Sequence, residues 1–189
     1  DALLIDKAVK VDDLVLGDKN AVMVAARILA YGADYVVDIQ DPTTQEMVPY
    51  TFDLTKCAFK ELPKDLDYSK GQFSFQLPVS KNTVTFKLLT GKEEKQIERD
   101  IKSFKKTGTS AEITTRLRHL ITSVDGNTEA SAISNYANNM LSKDSLELRK
   151  EVLRITPDIE MSQEIELGGE TVKVDIPLTV EFFWPSTDG

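Results

Sequence analysis

Apolar positions along the chain follow two different periods, which predict separate helices and strands. Between residues 18 and 31, apolar side chains recur every three or four positions, as expected for an amphipathic helix. We expect Asp18 to be the N-cap of this helix and Gly32 to end it. The same period predicts three further helices, over 92–106, 129–141 and 144–155. Asp144 is the predicted N-cap of the last of them.

Alternating apolar and polar segments joined by turn residues predict three β-hairpins, centred near residues 43, 80 and 168. The predicted pairs of arms are 35–39 with 47–54, 72–77 with 83–89, and 160–167 with 171–183. Pro49 and Pro177 each lack a backbone N–H, so the return arms that contain them are expected to be edge strands or to carry a bulge. Gly168 and Gly169 between alternating arms are a strong signal for a tight turn.

The segment 113–124 fits both periods. Its β-branched residues, and the shared parity of Ile113, Leu117 and Ile121, favour a strand. The same segment also places apolar residues at helical spacing, so a helix remains the alternative. We prefer the strand, followed by a turn at Asp125 and Gly126.

Together these elements predict an α+β fold with three β-hairpins and about four helices, and without a parallel doubly wound sheet. We expect residues 1–189 to form a single domain. The alternative is two lobes, with a helix and two hairpins in 1–90, and helices and the C-terminal hairpin in 91–189. A chain of this length buries roughly 70% of its unfolded surface, so it needs neither a disulfide nor a metal for stability.

The formal net charge of −8 disfavours partners that carry negative charge. The most basic stretch contains Lys102, Lys105 and Lys106, but acidic residues of the same predicted helix dilute it. We therefore expect neither nucleic acid nor a membrane surface to be a partner. The longest apolar run, near residues 21–26, is much shorter than the roughly 18–20 residues that span a bilayer.

One histidine and one cysteine leave few residues for catalysis or metal binding. No nucleophile motif accompanies His119, so we interpret it as a structural histidine. We expect Cys57 to be a small buried apolar side chain. The usual zinc sites need more His and Cys ligands than the chain contains. We therefore expect no enzymatic activity, no cofactor, no metal and no small-molecule substrate; a hydrolase whose carboxylates no motif marks is the enzyme alternative.

The last apolar segment, 177–185, contains three consecutive aromatic residues before a proline. As a strand, it places Phe182 and Trp184 on one face and Phe183 on the other. We expect all three to be buried, some in the core and at least one at or near a partner interface, because aromatic residues are enriched in interface cores. Phe182, Phe183 and Trp184 are therefore the predicted interface residues. A closing strand packed entirely on the core is the alternative.

Several segments, taken in order, resemble one protein family. They are Gly17 and Asp18 leading to Arg27, Ala30, Tyr31 and Gly32, then 86–94, 121–126 and 178–185. In these segments the chain resembles baseplate hub and hub-assembly proteins of T-even-type contractile-tailed bacteriophages. Members of that family often carry Cys-x-x-Cys knuckles in the first and last hairpins, where this chain has 40–44 and 166–169 without cysteine. The resemblance then implies that the metal has been lost and that a plain turn closes each hairpin.

The resemblance implies a structural or assembly component of a phage tail baseplate hub that acts through protein–protein contacts. Its partners would be other phage tail or baseplate proteins, such as sheath, tube or wedge proteins. Its location would be the virion, in the tail baseplate, after assembly in the host cytoplasm. The residues themselves also allow a non-catalytic peptide- or protein-binding module that uses exposed strand edges, since two return arms contain proline.

Overall fold

The computed structural model describes residues 10–41, 43–106 and 112–184. Within these ranges, six α-helices and seven strands form an α+β fold in which every sheet is antiparallel, so the predicted fold class is confirmed. The helices are Leu16–Tyr31 (α1), Gly91–Lys106 (α2), Glu112–Leu120 (α3), Ala130–Asn139 (α4), Ser142–Ile155 (α5) and Val180–Phe183 (α6). The strands are Asp34–Gln40 (β1), Met47–Asp53 (β2), Phe73–Gln76 (β3), Thr83–Phe86 (β4), Ile121–Val124 (β5), Ser162–Leu167 (β6) and Glu170–Asp175 (β7).

The three predicted hairpins are β1–β2, β3–β4 and β6–β7. In the third, Gly168 and Gly169 have φ angles of 61° and 86°, a left-handed backbone that glycine adopts without a steric penalty. The second hairpin gains β5, which gives a three-stranded sheet in the order β3-β4-β5. The turn predicted at Asp125 and Gly126 follows β5, and both residues have positive φ.

Both predicted N-caps lie inside their helices instead. The helix α1 begins at Leu16 and α5 begins at Ser142, so Asp18 and Asp144 occupy first turns. Acidic side chains in a first turn face the positive end of the helix dipole, which is a favourable position. Each aspartate therefore correctly indicated that a helix begins nearby, but the helix begins two residues before it.

The strand preferred over 113–124 is wrong for most of that segment. Residues up to Leu120 form α3, and only Ile121–Val124 form the strand β5. Leu117 and Leu120 are 2% and 5% exposed, which is the i, i+3 spacing of a buried helical face. Ile113, whose parity had favoured the strand, is 48% exposed. The helical period therefore ends at Leu120 and the strand period begins at Ile121. Ile113, Leu117 and Ile121 are spaced by four, which fits a helix as well as a strand, so their shared parity did not indicate a strand.

The chain divides into two compact units, each built from two separate stretches. The first unit comprises Asp1–Leu16 and Glu61–Pro157, and the second comprises Gly17–Lys60 and Asp158–Gly189. These bounds differ from those of the alternative with two lobes, 1–90 and 91–189. The reason is that the first and third hairpins, which lie far apart in sequence, contribute to one core.

The core of the second unit lies between these two hairpins, α1 and α6. Tyr35 and Ile39 of β1 are buried, whereas Val36 between them is exposed, as a strand with one buried face requires. Phe52 lies opposite Tyr35 in the sheet and is also buried. The ring of Phe182 meets Tyr35 edge-on, with 5.1 Å between the ring centroids.

The core of the first unit lies between the sheet β3-β4-β5 and the helices α3, α4 and α5. Val84 and Phe86 supply the buried face of β4, and Leu148 and Ile155 supply that of α5. The hydroxyl of Tyr68 donates to the carbonyl of Ile155 at 3.0 Å, which satisfies an acceptor at the end of α5. This unit therefore has its own hydrophobic core.

Candidate protein-contact surface

The third hairpin ends earlier than predicted, which changes the geometry of the C-terminal aromatic segment. The strand β7 pairs with β6 only as far as Asp175, which lies opposite Ser162. The N–H of Ile176 still donates to the carbonyl of Met161, but Pro177 comes next and has no N–H for a strand ladder. The chain then forms the short helix α6. The return arm predicted over 171–183 is therefore wrong beyond Asp175.

The three aromatic residues consequently differ in exposure. Phe182 is 0% exposed, Phe183 is 38% exposed and Trp184 is 76% exposed. Phe182 packs edge-on against both Tyr35 and Phe183. The expectation that all three are buried is correct only for Phe182, because a helical turn places successive side chains about 100° apart instead of on opposite faces.

Four exposed residues, Leu178, Val180, Phe183 and Trp184, are named here the C-terminal apolar surface. Val180 and Trp184 are its most exposed members, and Leu178 is 46% exposed. Val180, Phe183 and Trp184 have the spacing i, i+3, i+4, which places them on one side of a helical turn. Clustered exposed apolar side chains of this kind mark sites of protein contact more often than ordinary surface.

Tyr35 connects the base of this surface to the core of the second unit. Its hydroxyl donates to the carbonyl of Pro177 at 2.9 Å and lies 3.1 Å from the hydroxyl of Thr179. The N–H of Trp184 donates to the carbonyl of Val180 at 2.9 Å, which closes the helical turn. A surface held in this way loses less conformational entropy on binding than a flexible segment does.

The loops of the first and third hairpins adjoin within the second unit. The buried Asp41 carboxylate accepts hydrogen bonds from the N–H groups of Thr43 and Thr44, at 2.7 and 3.2 Å. A Cβ placed on Gly168 would lie 3.0 Å from the Thr43 hydroxyl and 3.3 Å from the Asp41 carboxylate. An Asx-type turn thus organises the first loop. The loops of the first and third hairpins are therefore direct neighbours.

Arg27, which belongs to a segment that carries the resemblance, stabilises the end of α1. Its side chain is buried, and its Nη1 and Nη2 donate to the carbonyls of Gly32 and Asp34 at 3.2 and 3.4 Å. The guanidinium lies 4.9 Å from the centroid of the Tyr31 ring. Gly32 has a φ of 86° and ends the helix as predicted. This motif therefore holds the turn between α1 and β1.

His119 and Cys57 have separate structural surroundings. His119 Nε2 lies 2.9 Å from Asp100 Oδ2, and this contact joins α3 to α2. That hydrogen bond lowers the pKa of the Asp100 carboxyl. Cys57 is 8% exposed, which confirms the prediction of a small buried side chain, and burial raises the pKa of its thiol. His119 belongs to the first unit and Cys57 to the second.

No group of three or more His, Cys, Asp or Glu residues in 10–41, 43–106 or 112–184 is arranged to hold a metal ion. None of the helices in these ranges is both long enough and apolar enough to cross a membrane.

Asp144 is a buried charged residue whose contact the sequence did not reveal. Its side chain is 0% exposed, and its carboxylate accepts hydrogen bonds from the N–H groups of Val79 and Ser80, at 2.8 and 2.9 Å. Burial raises the pKa of this carboxyl, but the hydrogen bonds from both residues outweigh burial and hold the pKa below its ordinary value. The sequence showed only an aspartate near the start of a predicted helix. It did not indicate that this aspartate contacts Val79, which lies 65 positions earlier in the chain.

Comparisons of the chain with protein-family models, curated proteins and solved structures found no match.

Proposed function

We propose that this chain is a structural or assembly component of a phage tail baseplate hub that acts through protein–protein contacts and not through catalysis. Its direct partners are other phage tail or baseplate proteins, and its location is the tail baseplate of the virion. The C-terminal apolar surface is the observation that carries this proposal, and the placement of the resembling segments supports the choice of partner.

The C-terminal apolar surface exposes side chains that gain free energy when a partner covers them. Burial of a large apolar side chain contributes about 1.5–3 kcal/mol. Val180 and Trp184 are 74% and 76% exposed, so most of this contribution is still available. Tryptophan is also among the residue types that most often dominate binding energy at interfaces. Held to the core by Tyr35, this surface is suited to an apolar pocket on another protein.

The arrangement of the second unit supports a partner from the phage tail. Cysteine knuckles in two hairpins can share one metal only where their loops lie side by side. The loops at Asp41 and Gly168, which correspond to those knuckles, are neighbours. The resembling segments at 17–32 and 178–184 belong to the same unit. This is the arrangement expected of a relative that closes each hairpin with a plain turn.

Photo-cross-linking from the C-terminal apolar surface tests the proposal. Benzoylphenylalanine replaces Trp184, or Leu146 as a matched control, since Leu146 is a 42% exposed apolar residue of the first unit. In cells that produce a contractile-tailed phage, we expect the probe at position 184 to cross-link to tail or baseplate proteins, identified by mass spectrometry. The proposal is contradicted when position 184 captures only host proteins, or captures tail proteins no better than position 146 does.

A peptide-binding module is the second candidate function, and the two-stranded sheets favour it. In β1–β2 and β6–β7, each strand has a paired neighbour on one side only within the described residues. The unpaired side of such a strand is where an added strand would form its backbone hydrogen bonds. Strand addition would protect amides of these strands from hydrogen exchange when a partner binds. Protection confined to 178–184 would instead favour the baseplate contact.

A further inference from the structure

Two adjoining cavities in the first unit have opposite character. The first, which we name the apolar cavity, has a volume of about 430 Å³, and six of its lining residues are Leu89, Ile113, Leu117, Leu120, Val152 and Leu153. Leu117 and Leu120 form a buried floor, whereas Ile113 and Leu153 are 48% and 69% exposed at the rim. Such a floor and rim leave apolar surface open to a ligand.

The second, which we name the polar cavity, has a volume of about 470 Å³, and its lining adds the hydrogen-bonding side chains of Thr114, Asn138, Ser142 and Ser145 to the apolar Ala137 and Met140. Four residues line both cavities: Glu112, Ile113, Leu117 and Arg149. The two cavities therefore meet beside α3 and the middle of α5, with Arg149 where apolar lining changes to polar lining.

The charged groups around the apolar cavity differ in their partners. Arg116 is held by Glu94, whose two carboxylate oxygens lie 2.8 and 2.9 Å from its Nη1, and Glu112 lies 4.0 Å away. Arg149 donates from Nε to the carbonyl of Ser145 at 3.3 Å. Among the described residues, no carboxylate forms a salt bridge with Arg149. Its guanidinium is thus the cation of this region that an anionic ligand can pair with.

We propose that the two cavities together bind an amphiphile with an unbranched apolar tail and a single carboxylate head. The tail occupies the apolar cavity. The carboxylate pairs with Arg149, whose planar guanidinium matches two carboxylate oxygens, at the entrance to the polar cavity. This site involves binding without turnover, and it does not depend on the protein contacts proposed for the second unit.

The size of the site favours a small molecule over a protein partner. Volumes near 430 and 470 Å³ lie within the range of roughly 300–1,000 Å³ that is typical of small-molecule sites. A stable protein interface instead buries about 800 Å² on each partner, which is much more than a pair of such cavities offers. A carboxylate is favoured over a cationic head because Glu94 and Glu112 already face Arg116, which leaves Arg149 to be satisfied.

Titration of the full chain with decanoate tests the proposal. Binding is followed by calorimetry and by methyl NMR of Ile and Leu side chains, below the concentration at which decanoate forms micelles. We expect one saturable site, with the largest shifts at Ile113, Leu117 and Leu153. Decanol, which has the same tail without the carboxylate, is expected to bind at least tenfold more weakly.

Three variants separate the role of the charge from that of the tail. Arg149→Gln should weaken decanoate binding at least tenfold without changing decanol binding, because a charge-assisted hydrogen bond is lost. Lys150 is the adjacent cation and lines neither cavity, so the Lys150→Gln variant is the control. It should bind decanoate as the unmodified chain does. Ile113→Ser should weaken binding of both molecules. The proposal is overturned by the absence of saturable binding, by shifts that map outside the two cavities, or by equal effects of Arg149→Gln and Lys150→Gln.

Discussion

Replacement of Asp144 by Ala should destabilise the first unit strongly. The change removes a fully buried carboxylate that accepts two backbone hydrogen bonds, at 2.8 Å from Val79 and 2.9 Å from Ser80. A hydrogen bond to a charged group contributes about 1.5–3 kcal/mol, so the two together contribute about 3–6 kcal/mol. That is a large fraction of the roughly 5–15 kcal/mol that stabilises a typical domain. The turn between β3 and β4, which contains Val79 and Ser80, should also become more mobile when these two hydrogen bonds are lost.

The assay is urea unfolding followed by far-UV circular dichroism, together with hydrogen exchange at the amides of Val79 and Ser80. Glu147→Gln is the matched control, since Glu147 lies on the same helix and forms a surface ion pair with Lys150 at 2.8 Å. An exposed pair of this kind contributes less than about 1 kcal/mol. The predicted stabilisation by Asp144 is contradicted if Asp144→Ala lowers the free energy of unfolding no more than Glu147→Gln does, and if the amides of Val79 and Ser80 exchange at unchanged rates.

Three further predictions concern acid stability, the hairpin loops and the thiol. The folded-state pKa of Asp144 lies below its unfolded value of 3.8, so its contribution to stability is present above about pH 4 and is lost as the pH falls through the folded pKa. In the Asp144→Asn variant, the free energy of unfolding in urea should therefore fall less between about pH 5 and about pH 2 than it does in the unmodified chain. Gly168→Ala should lower the free energy of unfolding by about 2 kcal/mol, because the new Cβ meets a φ of 61° and a contact to Thr43. Gly126→Ala should lower it by only about 1 kcal/mol, because Gly126 has a φ of 82° but open space around it. Equal losses in thermal unfolding would contradict the packing of the two hairpin loops. Cys57 should react with a thiol reagent at least tenfold more slowly in the folded chain than in urea, since it is buried and its thiol pKa is raised; similar rates would contradict this.

The hairpins were predictable because their signals are local. Gly168 and Gly169 supply the positive φ angles that their turn requires, and the alternation of the flanking arms sets which side chains face inward. The four predicted helices were placed for the same reason, because 3.6-residue periodicity and flanking turn residues are read within one segment.

The features that the sequence did not reveal depend on contacts between distant segments. The helix α6 forms where the β6–β7 ladder ends and Tyr35 holds Pro177 and Thr179. The buried contact of Asp144 likewise requires the turn at Val79 to meet the start of α5. The aromatic residues at 182–184 were correctly singled out as unusual, but local alternation predicted the wrong faces, since the local backbone conformation follows from packing and not from the aromatic run itself.

Association with isolated baseplate hub intermediates tests the proposed function most directly. The purified chain is mixed with hub or baseplate intermediates from a contractile-tailed phage and sedimented, with Trp184→Ser and Leu146→Ser compared with the unmodified sequence. We expect the unmodified chain and Leu146→Ser to sediment with the intermediates, and Trp184→Ser to remain folded but to bind at least tenfold more weakly, since it removes the most exposed aromatic side chain of the C-terminal apolar surface. The proposal is contradicted when the unmodified chain does not sediment with the intermediates, or when Trp184→Ser binds them as well as Leu146→Ser does.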